Sequence, residues 1–403
     1  MSHYFYITTL LYHHLINGYR DKTRMSKKRR LMMEFKFSME SLPHHVVERI
    51  LERLPVKPLM RFKAVSKQWR STIESPFFQG RQLKHRQQSG DPDTSSSHPG
   101  QVESLATLAL VSSSLVEIPT PWDKKQYLVC QSSCDGLVCV YNAHIKSGSG
   151  FVFNPTTRWH RVLPLCELQR LIVDKGYGYY RLRHGCTNLG FGKDKFTGTY
   201  KPVWLYNSAE IGRENATTCE VFDFSTNSWR YVTPSSPYRI LSGYHHPVYV
   251  DGSVHWFTEC KETKVVSFDL HTEAFQAVSA PFANAPVNEM AMCNLHNRLC
   301  VSLKKCSNQV IWSFNSGNKT WDQLCSIDLD AVSLRFAIPT LVCAVQPLAL
   351  LDGEKKKKKK LLFYDIVSHR TLMTYDLDTK SYDTAAKFLG DALCYFPSLF
   401  SVL

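Results

Sequence analysis

Long apolar runs are missing from this 403-residue chain: nothing approaches the roughly 18 to 20 consecutive apolar positions of a membrane-spanning helix. The best stretch, Leu341 to Leu351, is interrupted by Gln346 and Pro347. Tyr4 to Tyr12 is apolar and aromatic, but no basic residue precedes it and no small-residue cleavage site follows, which argues against a secretory signal. C-x-x-C does not occur, and 13 cysteines, an odd number, in a chain of this length do not describe a disulfide-stapled scaffold. Reduced thiols in a protein of the nucleus or cytoplasm are expected. Catalytic signatures are absent too: there is no G-x-S-x-G, no H-E-x-x-H and no paired-carboxylate pattern. The histidine pairs at 13–14, 44–45 and 245–246 have no companions at catalytic spacing. GFGKD, Gly190 to Asp194, fails as a phosphate loop, because Thr187 stands where the first glycine is needed and Asp194 where a hydroxyl is needed. No catalytic residue, cofactor or metal is expected.

Charge is present but concentrated. The net charge is +14. Seven basic residues between Arg20 and Arg30 against Asp21 give +6, and the run Lys355 to Lys360 gives another +6. The rest is therefore nearly neutral, so a basic face for nucleic acid is not indicated. Compact lysine-arginine runs of this kind are read either as nuclear-import signals or as solvated segments.

The organising stretch is Ser41 to Phe78. Val47, Ile50, Leu51 and Leu54 recur at i, i+3, i+4, i+7, one stripe of an amphipathic helix, with Glu48, Arg49, Glu52 and Arg53 on the other side. Pro55 ends it, and Pro58 is placed to open a second helix carrying Leu59, Phe62 and Val65. A third short helix holds Trp69 and Ile73 and stops before Ser75-Pro76. The sequence LP-x(3)-V-x-x-I-L-x-R-LPVK-x-L-x-R-F-x-x-V-x-K-x-W-R resembles the plant-type F-box. That resemblance implies docking on a Skp-type adaptor and, through it, on a cullin. The positions it implies for docking and helix packing are Leu42, Pro43, Val47, Ile50, Leu51, Leu54, Pro55, Leu59, Phe62, Val65 and Trp69. The chain departs from the family at Ser66-Lys67, where a cysteine is usual, and at His44-His45.

After Leu83 the composition changes to HRQQSGDPDTSSSHPGQ, a flexible linker. From about Ser104, short runs such as YLVC, GLVCVYN, SVHWF, KVVSFDL and QVIWSF take over, each bounded by turn residues, as in an all-β domain. A repeat starts at Phe153, Phe222, Phe268, Phe314, Tyr364 and Tyr375: an aromatic, then Asn or Asp, then turn formers, usually with a returning aromatic. Its reading is a hairpin in which Asn or Asp starts the turn and the aromatics pack on one face. Offsets of 46, 46 and 50 residues from Phe222 to Tyr364 match propeller blades, about six of them. The gap of 69 between Phe153 and Phe222 demands a long connection or an irregular closure, and an open sandwich stays an alternative. SCDGLVCVYN, FVFNPTTRWHRVLP, CEVFDFSTNSWR and PVYVDGSVHWFT are similar to the F-box-associated domain of plant F-box proteins, which implies a kelch-like fold.

The expected fold class is α+β multidomain, a small three-helix F-box followed by a large all-β kelch-like propeller. The expected division is a disordered basic extension over 1–36, the F-box over 37–84, a linker over 85–103 and the β domain over 104–403. Cys130, Cys134, Cys139 and His144 offer zinc-type donors at the wrong spacing, and burial in the core is the simpler reading. Trp204, Tyr177, Tyr179, Tyr180, Tyr244 and Trp256 are weighed as target contacts against a role in filling blades. The function implied is the substrate-recognition subunit of a Skp-cullin-F-box ubiquitin ligase with an unknown target protein, no nucleic acid and no membrane. The alternative is a kelch-like module binding a protein or glycan without ligase activity.

Overall fold

A computed structural model describes residues 43–89, 108–111, 127–142, 150–174, 188–211, 214–241, 245–336, 343–352, 359–365, 371–387, 391–394 and 398–402. The chain divides into two compact units, residues 1–106 and 107–403.

The first unit is helical. α1 (His44–Glu52) buries Val47 and Leu51 on its apolar stripe and closes in a tight turn, with Leu54 N donating to Leu51 O at 3.0 Å. α2 (Val56–Phe62) opens two residues earlier than Pro58 suggested. Pro55 takes the N-cap position and Pro58 falls inside the first turn, where a missing N–H costs nothing. α3 (Lys67–Glu74) starts at Ser66, whose Oγ accepts from Trp69 N at 3.1 Å, so the serine that departs from the family pattern serves as a helix cap. Ser75 is extended, as a residue before proline must be.

A fourth helix, α4 (Pro76–Ser89), was not expected, and it runs into the stretch read as linker. Its start signal is Ser75-Pro76: Ser75 Oγ accepts from Phe78 N at 3.2 Å, and proline suits the first helical position. Among its residues whose side chains are described, Phe78, Gln82 and Leu83 are buried, too few apolar positions to show as a period. Gln82 Nε2 donates to Leu54 O at 3.2 Å, and Arg81 pairs with both Glu48 and Glu52, tying α4 back to α1. Phe62 and Trp69 meet edge to face at 5.6 Å between centroids in the core. Gly80 in α4 has open space where a Cβ would stand, so Gly80→Ala is expected to stabilise the unit by about 0.5–1 kcal/mol, read in a urea titration.

The second unit is a ring of sheets. β1 (Leu108–Val111) opens it. Blade 1 is β2 (Tyr127–Cys134), β3 (Leu137–Asn142), β4 (Gly150–Phe153) and β5 (His160–Leu163). α5 (Glu167–Asp174) follows. Blade 2 is β6 (Leu189–Lys193), β7 (Tyr200–Asn207), β8 (Thr217–Asp223) and β9 (Ser228–Val232). Blade 3 is β10 (Val248–Val250), β11 (Ser253–Phe257), β12 (Lys264–Asp269) and β13 (Phe275–Ser279). Blade 4 is β14 (Met290–Leu295), β15 (Arg298–Lys305), β16 (Asn308–Asn315) and β17 (Thr320–Asp328), and α6 (Leu329–Phe336) leads out of it. Blade 5 is β18 (Gln346–Asp352), β19 (Lys359–Tyr364), β20 (Thr371–Asp376) and β21 (Tyr382–Lys387). Last comes β22 (Asp391–Cys394).

Each blade is an antiparallel meander of four strands in sequence order. The first strands touch around the ring, β2 to β6, β6 to β10, β10 to β14 and β14 to β18, and β22 contacts both β18 and β2. The sixth position in the ring is thus a two-stranded sheet in which β22 pairs with β1 from the other end of the unit. The structure is therefore a propeller of five full blades, not the sandwich alternative. The core lies between blades: separate apolar clusters fill the seams between blades 1 and 2, 2 and 3, 3 and 4, and 4 and 5.

The repeat marks the turn between third and fourth strands. Asn154, Asp223, Asp269 and Asp376 each accept, through Oδ1, a bond from the backbone N–H two residues on. Four residues after each stands a left-handed residue, Arg158, Asn227, Glu273 and Lys380. The flanking aromatics pair across the strands, Phe222 with Trp229 at 5.3 Å, Phe268 with Phe275 at 4.8 Å, Phe314 with Trp321 at 4.9 Å and Tyr375 with Tyr382 at 4.7 Å. The second aromatic also stitches blades together. Trp229 Nε1 donates to Pro164 O at 2.7 Å, Trp321 Nε1 to Ser279 O at 2.8 Å, and Tyr382 OH accepts from Asp328 N at 3.0 Å.

Tyr364 is out of phase. It ends the second strand of blade 5, so the true counterpart of Phe314 is Tyr375, 61 residues on. The extra residues between Phe153 and Phe222 include α5, whose first N–H groups are held by a buried carboxylate: Glu220 accepts from Glu167 N at 2.9 Å, Leu168 N at 3.2 Å and Tyr206 OH at 2.9 Å.

Candidate docking surfaces

The eleven positions singled out in the helical unit separate by burial. Val47, Leu51, Leu59, Phe62 and Trp69 are buried, and with Val56, Ile73, Phe78 and Leu83 they form the interior. A side chain wholly inside the unit offers no area to a partner, so these five act by holding the helices. Ile50, Leu54, Pro55 and Val65 are half-buried and Pro43 is exposed. Leu42 lies outside the described residues. The available apolar surface is thus built by the end of α1 and the turns on either side of α2. Sequence reasoning missed Phe77, 70% exposed on α4 with the Arg81 guanidinium 4.4 Å above its ring. The Phe77-Phe78 pair behind Ser75-Pro76 was its only signal.

On the propeller, Trp204 and Trp256 prove to be core. Trp204 packs edge to face on Tyr141 at 5.3 Å, and Trp256 Nε1 donates to Asn188 O at 3.2 Å. Tyr177, Tyr179, Tyr180 and Tyr244 lie outside the described residues. Cys134 and Cys139 are buried apolar residues of blade 1, Cys130 belongs to β2, and His144 is outside the described residues. Burial pushes the Glu220 carboxyl up, a shift of the kind that marks reactive groups, yet its oxygens are committed to α5 and Tyr206.

The turns joining first to second and third to fourth strands share one face of the ring. There Phe196 is 68% exposed on the β6–β7 turn. The turn that presents it is rigid. Asp194, almost fully buried, accepts from Phe196 N at 2.8 Å and from Thr197 Oγ1 at 2.7 Å, and its Oδ2 lies 3.1 Å from His271 Nδ1. Burial alone would raise the Asp194 carboxyl, but these bonds outweigh it and hold the group far below the usual carboxylate range. His271 packs on Phe196 with ring centroids 4.7 Å apart in a tilted arrangement, and Lys195 bridges to Asp251 at 3.2 Å. An aromatic fixed in place and facing solvent is what an interface anchor requires, since little side-chain freedom remains to be lost on binding.

His255 reports on the core. Burial beside Ser267, whose Oγ is 2.6 Å from Nδ1, pushes the imidazole down to about 4 from 6.5. A depressed histidine is neutral when folded and takes up a proton on unfolding, so its contribution is intact above pH 6.5 and is lost as pH falls toward 4. A fall from 6.5 to about 4 corresponds to about 3 kcal/mol at the lower limit. Melting temperature should fall between pH 7 and 5 in wild type, and His255→Gln should flatten that dependence, leaving the smaller slope contributed by His245, also held at about 4.

Comparison with known proteins agrees with this layout. The F-box domain matches residues 39–79, and the F-box associated beta propeller domain matches residues 104–402. An F-box/LRR-repeat/kelch-repeat protein of Arabidopsis thaliana is 63% identical over 391 residues, covering 94% of this chain and 100% of that protein. A second Arabidopsis F-box protein is 50% identical over 392 residues, covering 90% and 85%. A third is 48% identical over 405 residues, covering 91% and 100%. Helical unit, propeller and relatives together place this chain in the family of plant F-box proteins that carry a C-terminal F-box-associated β-propeller.

Proposed function

We propose that the chain is the substrate-recognition subunit of a Skp-cullin-F-box ubiquitin ligase and has no catalytic residues of its own. The observation that carries the reading is the union, in one chain, of a helical unit with half-exposed apolar side chains at Ile50, Leu54, Pro55 and Val65 and a propeller whose buried carboxylates Glu220 and Asp194 are spent on internal bonds. The first takes the Skp-type adaptor, and the propeller takes a target protein through the face carrying Phe196. Chemistry belongs to other subunits: the chain raises the effective concentration of a target lysine near a charged ubiquitin carrier. Adaptor and target are expected to be met in the nucleus or cytoplasm.

The test is capture of the full chain on a purified Skp-type adaptor, followed by size-exclusion chromatography with cullin added. A stoichiometric ternary complex is the expected result. A folded chain that elutes alone would overturn the reading and leave the propeller as a free-standing binding module. Phe196→Ser should leave the melting temperature within about 1 °C of wild type, because a solvent-facing ring contributes little to the fold.

A further inference from the structure

Ten described cysteines are not joined in disulfides, and two of them face each other. Cys293 on β14 is the direct cross-strand partner of Cys300 on β15. Directly opposed residues of an antiparallel pair stand about 4.5–5.5 Å apart at Cα, inside the range of about 4.4–6.8 Å that a disulfide spans. Side chains at opposed positions point to the same side of the sheet, and both thiols are buried in the seam between blades 4 and 5 among Leu361, Phe363 and Tyr375. We propose that Cys293 and Cys300 form a reversible disulfide within blade 4 when the chain meets a peroxide.

The chemistry balances without another reactant. One thiolate attacks a peroxide oxygen, expelling hydroxide and leaving a sulfenic acid. The opposed thiol attacks that sulfur, water departs, and two thiols plus hydrogen peroxide become one disulfide plus two waters. The hydrogen bond between the two thiols outweighs burial and lowers the pKa of Cys300, and the thiolate is the nucleophile.

Facing side chains on neighbouring strands have Cβ atoms about 4.5–5.5 Å apart, wider than the roughly 3.8 Å typical of a disulfide. Closing the bond therefore draws the β14–β15 hairpin together, and a bond under such tension is easily reduced. That makes the pair a reversible device instead of a permanent staple. Cys325, packed against the same cluster, is the competing thiol, and exposed Cys306 is the internal standard for peroxide dose.

The full chain is treated with hydrogen peroxide, denatured, blocked with N-ethylmaleimide and cut with trypsin, which cleaves after Arg298 and so separates the two cysteines. The expected result is a joined peptide pair containing Cys293 and Cys300 as the dominant form once Cys306 is oxidised, lost on treatment with dithiothreitol. Two results would overturn the proposal: both thiols recovered alkylated while Cys306 is oxidised, or Cys300 joined mainly to Cys325. The assignment is read on the wild-type chain, so it does not depend on a serine variant folding.

Discussion

Leu54→Asp is expected to weaken capture by a Skp-type adaptor at least thirtyfold while the helical unit stays folded. Leu54 is half-buried in the turn between α1 and α2, and the bond it makes to α4 is through its backbone oxygen, which the substitution keeps. A carboxylate placed in the apolar patch with Ile50, Pro55 and Val65 would have to be desolvated on docking with no cation opposite. Loss of an interface anchor typically costs about 2 kcal/mol or more, hence the thirtyfold figure. Leu51→Ala provides the contrast. Leu51 is 1% exposed in the interior of the helical unit, so its truncation should cost about 2–5 kcal/mol of fold stability. Adaptor binding should fall in parallel with the folded fraction, and circular dichroism would show the loss of helix. If Leu54→Asp binds normally while folded, the docking patch does not lie on this side of the unit.

The helices were legible where burial imposed a period. Val47 and Leu51 stand four apart because one side of α1 is inside, and proline at 55 and 76 punctuates the chain at the positions where a helix can begin. α4 escaped because its bonds to α1 run through Arg81 and Gln82, polar residues that leave no trace in an apolar pattern. The blade repeat followed from the turn chemistry of Asn154, Asp223 and Asp269, but the expected count of about six exceeds the five full blades formed, because Tyr364-Asp365 copies the first two letters of the motif at the end of a second strand. Nothing local distinguishes that strand end from the third, since the distinction is pairing with β20. The two-stranded sixth position was invisible for the same reason, because β1 and β22 meet only through the closure of the ring. Docking residues were the hardest to separate. Burial in a small helical unit and burial against a partner select the same amino acids, and only the three-dimensional arrangement tells Leu51 from Leu54.

The two glycines of GFGKD, which superficially invited a phosphate, have a steric role whose removal should be costly. A Cβ on Gly192 would stand 2.2 Å from Tyr249 Cδ2 and 2.9 Å from Leu270 Cδ1, and one on Gly190 would stand 2.4 Å from Val254 Cγ1. Tyr249 cannot swing aside cheaply. Its hydroxyl donates to Lys193 O at 2.9 Å, and its carbonyl is held by Asn294 Nδ2 at 2.9 Å, so the ring is fixed at both ends on the seam of blades 2, 3 and 4. Overpacking a well-filled interior costs about 1–3 kcal/mol where neighbours can shift. Here both neighbours belong to another blade, and the expected loss for Gly192→Ala is at or above the upper end of that range. Gly190→Ala presses on Val254, whose own blade must then move, so the double variant forces β6 away from blade 3 along most of its length. Guanidinium titration of the full chain should show a midpoint lowered by each single substitution and further by the pair. A double variant as stable as wild type would mean that blades 2 and 3 do not meet through the bare backbone of β6, and the close approach that explains both glycines would have to be abandoned.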